Sequence, residues 1–331
     1  MSLLEIEGLT HAFGDNLLYR NAGFTLNKGE HIGIVGQNGA GKSTLIKICT
    51  GQIMPDAGRV IRNPKAAMGY LDQYAEIKKD ITMEAFLKSA YEGLYRLEQE
   101  MLLLYEKAAY DEEALKLAAK YQERLEIQGF YDIDTRIGQV ASGLGLSAIG
   151  LARPVGQMSG GQRAKVILAK LLLEKPDVLL LDEPTNFLDK EHIAWLSDYL
   201  AGLENAFMVV SHDYDFLEKI ANRICDIDNK TIAKYYGTYS EFLKKKTLLR
   251  EDYVRQYVEI LLFKHPIGLL VGSGLGEARR RGKVELYVFK IYLLLHAAVI
   301  FEHKGIVGGG YEQNIKNAFL HQNLKLGDFQ V

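Results

Sequence analysis

A chain of 331 residues, 48% of them apolar, can bury a substantial core as one large domain or two ordinary ones, which excludes wholesale disorder. Its 40 basic and 42 acidic residues leave a net charge of -2, so the average charge draws the chain neither to nucleic acid nor to an anionic membrane, and only a local basic patch could. Cys49 and Cys225 make neither a disulfide framework nor a metal cluster, and the first 16 residues lack the basic start and apolar run of a signal peptide, so a cytoplasmic setting is expected.

In chain order, residues 3–9 and 17–26 mix alternating apolar positions around turn residues Gly14, Asp15 and Asn16, which predicts an antiparallel hairpin. A buried strand over 31–35, a glycine-rich turn and a helix starting near Lys42 make a strand, loop, helix unit of the α/β kind. Residues 67–71 read as a strand running up to Gln73. From 82 to 125 the pattern turns helical, with a break at 109–111, and predicts an antiparallel helical pair inserted into the α/β domain. The α/β pattern resumes with a helix over 161–173, a strand over 178–181, a helix over 190–200, a strand over 206–210 and a short helix over 214–220. Two short runs, 224–227 and 231–235, close the domain, and a charged helix over 239–259 leads away from it.

The sequence GQNGAGKST at 36–44 matches the phosphate-binding loop pattern in full and stands after a buried strand and before a helix. Gly36, Asn38, Gly39 and Gly41 let successive backbone N–H groups converge on phosphates; Lys42 can reach the β and γ phosphates, Ser43 can ligate Mg2+, and Thr44 completes the motif. VLLLDEP at 178–184 presents Asp182 at the end of a buried strand, where it can hold the magnesium hydration shell, and Glu183, which can polarise the attacking water. His212, in SHD after the strand at 206–210, is placed to bond the γ-phosphate or the water. Gln73, just past its own strand, is a further candidate for Mg2+ or the water. MSGGQ at 158–162 puts Ser159, Gly160, Gly161 and Gln162 at a helix start, where exposed N–H groups can receive a phosphate or the serine can serve as an ordinary cap.

These motifs, with the LD at Leu188 and Asp189, occur in the order and spacing of ABC ATPase domains, and the chain resembles that family over roughly residues 3–236. The resemblance implies a P-loop NTPase of the ABC type with a helical signature subdomain, binding ATP and Mg2+. It implies a sandwich in which Ser159 to Gln162 serve the ATP of a second ATPase domain, in a homodimer or a related subunit, with Asp189 communicating across that interface. Phe13 or Tyr19 would stack on adenine, Phe13 fitting the subfamily pattern better. DEPTNFLD at 182–189 resembles the DEPTNHLD of ABC-F proteins, with Phe187 in place of the histidine, and the helical insertion resembles the ABC-F arm. Many ABC-F proteins act on the ribosome as translation or antibiotic-resistance factors. The expected organisation is an ATPase domain over 1–238 with an arm at 82–126, the start of a linker helix over 239–260 and an atypical tail over 261–331. Lys244, Lys245, Lys246, Arg250 and Arg255 on the linker could meet ribosomal or tRNA phosphates.

After about Gln256 the linker pattern stops, which suggests a diverged or frame-disrupted tail. Residues 284–301 are interrupted by Glu285, Lys290 and His296, so a buried or interfacial helix is expected there rather than a membrane span. The alternatives to an ABC-F role are the ATP-binding subunit of a membrane transporter, paired with a separate membrane subunit, and an ATP-binding remnant with little turnover.

Overall fold

The computed structural model describes residues 2–72, 77, 80–108 and 110–264, with side chains up to Tyr253. Gln73 and the tail beyond 264, including 284–301, lie outside the described residues.

Strands β1 (Ser2–Phe13) and β2 (Asn16–Asn27) form the expected antiparallel hairpin. Then follow β3 (His31–Gly36), α1 (Lys42–Thr50), β4 (Ala57–Arg62) and β5 (Met68–Tyr70). A helical stretch comprises α2 (Met83–Lys88), α3 (Glu92–Lys107), α4 (Glu112–Ile127), α5 (Ile133–Gly143) and α6 (Gly160–Glu174). The chain returns to β6 (Val178–Asp182), α7 (Lys190–Ala201), β7 (Ala206–Val210), α8 (Tyr214–Ile220), β8 (Arg223–Asp228), β9 (Thr231–Tyr236) and α9 (Tyr239–Lys264). The chain divides between Lys245 and Lys246; everything before α9 lies in the first unit, and the described part of the second is the remaining course of α9. No helix among the described residues is long and apolar enough to cross a membrane.

The central sheet has the order β5-β6-β7-β3-β8-β9, parallel except for β9. Its strands β6, β7 and β3 are continuous apolar runs because both faces are covered. The period of two sorts their side chains. Val178, Leu180 and Met208 join α1 and the small β2-β1-β4 sheet in one core, whereas Leu179, Leu181, Phe207 and Val209 join the helices on the other face.

The helical insertion is present as α3 and α4, joined at Asp111, which caps α4 by accepting the amides of Glu113 and Ala114. Ala114 and Ala118 are buried, small side chains that let the two helices approach closely, and Tyr105 donates to Gln122 Oε1 at 2.6 Å. The first residues of the 82–126 stretch behave differently. They form α2, whose Met83 and Leu87 are fully buried in the helical core alongside α6.

Lys234 clamps β9 to the first hairpin. Its Nζ donates to the Thr25 carbonyl at 2.8 Å and to Glu30 Oε2 at 2.6 Å, while the Asn27 amide donates to the same carboxylate oxygen at 2.8 Å. Burial works to raise the Glu30 pKa, but the hydrogen bonds from Lys234 and Asn27 outweigh it and hold the carboxyl below its usual range. A carboxyl depressed in the native state contributes stability above its unfolded pKa and loses it as pH falls through the native one. Lys234→Met leaves buried Glu30 with only the Arg223 guanidinium, 3.8 Å from Oε1, as a cation, with an expected loss of about 2 kcal/mol at neutral pH. Urea unfolding at neutral and at acid pH should show that penalty shrinking as Glu30 takes up its proton.

Candidate nucleotide-binding site

The strand order places the carboxyl ends of β6, β7 and β3 side by side, and the loop 36–44, Asp182, Glu183 and His212 sit on or just past those ends. From β3 the chain turns at Gly36, crests at the exposed Gln37, Asn38 and Gly39, and enters α1 through Gly41. At Gly36 φ is +153° and a Cβ would lie 2.7 Å from the Ile227 carbonyl oxygen, so only glycine fits beside β8. Gly41, at φ +104°, caps α1 with no side-chain acceptor, so the first-turn amides present their partial positive charge at the loop. Thr44 lies half-buried in that turn.

Lys42 is buried, and its Nζ donates to the carbonyls of Gly36 at 3.0 Å and Gln37 at 3.1 Å, which holds the ammonium against the loop. Ser43 Oγ donates to Asp182 Oδ1 at 3.0 Å, joining the loop to the end of β6. Next to Asp182, Glu183 takes the left-handed conformation at φ +48°, and its amide donates to the Val210 carbonyl at 2.9 Å. That turn faces the carboxylate toward the end of β7. His212 Nε2 stands 3.4 Å from Glu183 Oε1, and the His212 amide donates to Oε2 at 3.4 Å. Burial raises the Glu183 pKa above its ordinary 4.5; the charge and amide of His212 and the charge of Lys42 pull against it, and Asp182 adds to it.

The donor set suits magnesium. A hydroxyl and a carboxylate lie within reach of one ion, and among the described residues no group of three His, Cys, Asp or Glu could cage a metal alone. Such a set matches an ion that keeps waters and phosphate oxygens as most of its ligands.

Of the two aromatic residues, Phe13 is the accessible one, 54% exposed at the end of β1, whereas Tyr19 is fully buried. Ser159 caps α6 in a complete capping box: its Oγ accepts from the Gln162 amide at 3.3 Å, and Gln162 Oε1 accepts from the Ser159 amide at 3.0 Å. These side chains are committed to the cap, so the segment offers the exposed backbone at Gly160 and Gly161. Among the described residues no hydrogen bond or ion pair ties this segment to the phosphate loop. Phe187, the departure from the usual histidine, lies close by: a Cβ on Gly161 would be 3.8 Å from the Cβ of Phe187. Asp189 caps α7, accepting the His192 amide at 3.2 Å and contacting the His192 ring; those two contacts hold its carboxyl below the usual range.

Two hydroxyls escaped the sequence reading. Thr185 Oγ1 and Ser211 Oγ are buried 3.4 Å apart, bridging the loops that carry Glu183 and His212, and Ser211 Oγ also accepts the Asp213 amide at 3.0 Å. Their position inside DEPT and SHD was the available signal.

A family model described as ABC transporter matches residues 19–186, just over half of the chain. The chain is 44% identical over 273 residues to the uncharacterized ABC transporter ATP-binding protein YfmM of Bacillus subtilis, covering 80% of this chain and 53% of that protein. It is 33% identical to the tylosin resistance ATP-binding protein TlrC of Streptomyces fradiae, over 78% of this chain and 48% of that one. With the energy-dependent translational throttle protein EttA of Mycobacterium tuberculosis it shares 35% identity over 71% of this chain and 42% of that one. The chain thus spans about half the length, or less, of these relatives. Among solved structures, an ATP-binding subunit of an ABC transporter superposes with a TM-score of 0.53 at 22% identity, over 76% of this chain and 98% of that one, a likeness of fold. A complete phosphate loop, its Asp182 partner at the end of β6 and a family match across both lead to one assignment: this chain belongs to the ABC transporter family and carries its ATP-binding ATPase domain, a P-loop NTPase fold.

Proposed function

We propose that the chain hydrolyses ATP in a sandwich shared with a second ATPase domain, and that it is an ABC-F-like ATPase acting on the ribosome as a translation or antibiotic-resistance factor. The hydrolytic reading is carried by one observation: Lys42, Ser43, Asp182, Glu183 and His212 stand together on adjacent strand ends, with Ser43 bonded to Asp182 at 3.0 Å and Glu183 beside His212 at 3.4 Å.

In this reading the amides of the loop from Gly36 to Thr44 and the Lys42 ammonium enclose the β and γ phosphates. Ser43 and Asp182 would hold the magnesium, with Gln73 as a further contact. When bound, magnesium neutralises charge on the phosphate oxygens. Glu183 accepts a proton from water as the water oxygen attacks the γ-phosphorus and the bond to ADP breaks. His212 orients that carboxylate and bonds the γ-phosphate. Phe13 stacks on the adenine. In the same reading the exposed start of α6, with Ser159, Gly160, Gly161 and Gln162, meets the γ-phosphate of a second domain's ATP.

The ribosomal reading is supported by DEPTNFLD at 182–189, by the α3–α4 pair inserted between β5 and α6, and by relatives whose names speak of a translational throttle and tylosin resistance. The stretch 84–126 carries ten acidic and six basic residues, so its bulk does not attract RNA. Phosphate contact would fall to α9, whose Lys244, Lys245 and Arg250 are exposed. DEPTN and the helical pair weigh against a transporter subunit.

Glu183→Gln should lower kcat by about 10²- to 10⁴-fold while ATP binding persists, and gel filtration with ATP should show a dimer. Unchanged turnover would remove Glu183 from the chemistry. Because burial raises its proton affinity, Glu183 loses its basic form on acidification earlier than an ordinary glutamate. A profile of kcat against pH should accordingly show an acid limb lying above 4.5. With ATP, the Glu183→Gln chain should co-sediment with ribosomes, more strongly at lower salt; no pelleting under those conditions defeats the ribosomal reading.

A further inference from the structure

We propose that Tyr19 is a positioning residue for the phosphate loop: its phenol, donating to the Gly41 carbonyl at 2.5 Å, fixes the residue that caps α1 and so sets the aim of the loop amides. The assignment rests on the reading of residues 36–44 as a phosphate cradle.

The Gly41 carbonyl and the Lys42 N–H belong to one planar peptide and point in opposite directions, so fixing the carbonyl fixes the amide. That carbonyl also accepts the Leu45 amide at 2.8 Å, the first bond of the helix. With two donors, both of its lone pairs are engaged, and the peptide cannot rotate without breaking both bonds. The phenol comes so near that a Cβ at position 41 would lie 2.6 Å from Tyr19 Oη and 3.3 Å from Leu18 Cδ1. Glycine is therefore required here by the close approach of the tyrosine as well as by φ.

Tyr19 itself has nowhere to move. It is fully buried in the core that holds α1 and the first hairpin, and burial raises its phenol above the usual value, which keeps it a donor. Across the β1–β2 pairing its partner is His11, whose ring meets Phe13 edge-on at 4.9 Å. His11 is 5% exposed and lies 3.6 Å from the Asp56 carboxylate, which also accepts the Ala12 amide at 2.8 Å. One rung of the hairpin thus stands between the accessible aromatic ring at Phe13 and the cap of α1, and it sets the spacing between the base end and the phosphate end of the site.

Tyr19→Phe removes one hydroxyl and leaves the Gly41 carbonyl with its Leu45 partner, so no buried acceptor is orphaned. On the full chain, well below Tm, Mg-ATP titration should show affinity about three- to tenfold weaker, and amide exchange at residues 42–44 should speed up. Phe13→Ala should weaken ATP without altering that exchange. A purely structural tyrosine would lower Tm while leaving the dissociation constant within about twofold and the exchange unchanged, and that result overturns the assignment. Gly41→Ala, which drives a methyl group against the phenol, is the second variant; native ATP affinity there overturns it as well. A native chain that binds no Mg-ATP overturns the cradle reading and this role with it, a failure distinct from a native chain that binds ATP no more tightly than Tyr19→Phe.

Discussion

The hydrogen bond from Ser43 to Asp182 closes a loop of 139 residues, and the chemistry of the site depends on it. It holds because β3 and β6 are separated by one strand, β7, whose own end delivers His212. Had the strands been ordered as they occur in the sequence, β5 rather than β7 would lie between them, and His212 would stand on the far side of Asp182 from the loop. The parallel arrangement brings all three strand ends to one edge, where ligands bind in open α/β sheets.

The same sheet separates two environments. On one face the alternate residues of β6 and β7 pack with α1 and the first hairpin, so the phosphate loop is supported by a rigid apolar bed. On the other they pack with α2, α5, α6 and α7, and the capped start of α6 belongs to that side. The helix starts at Gly41 and at Ser159 are therefore built on different cores. One helix end is left bare of side-chain caps and the other is closed by a full capping box, which leaves backbone groups as its outward chemistry.

Local signals carried most of the fold. Glycines at required turns and apolar runs marked β3, β6, β7 and α6 within a residue or two, because those elements obey one period and end at clear caps. β4 escaped notice because five of its six residues are exposed and it shows no alternation. α5 escaped because Gly138 and Gly143 weaken its helical pattern. The loop and strand-end residues of the site were legible from spacing, but not which neighbours they would touch: strand order is a property of the sheet, and the Lys234–Glu30 contact joins residues 204 apart. Sequence also left Phe13 and Tyr19 as alternatives; burial separates them, giving one an accessible face and the other a fixed phenol.

Glu183 is one of five residues other than glycine among the described residues with positive φ. A glutamate side chain in the left-handed region raises the local backbone energy by roughly 1–2 kcal/mol, and the flanking strands must absorb it. Replacing it by glycine would relax the turn and leave a sturdier protein without its carboxylate. With the role proposed for Glu183, thermal robustness and turnover pull in opposite directions at this position, so selection for stability alone would act against the carboxylate.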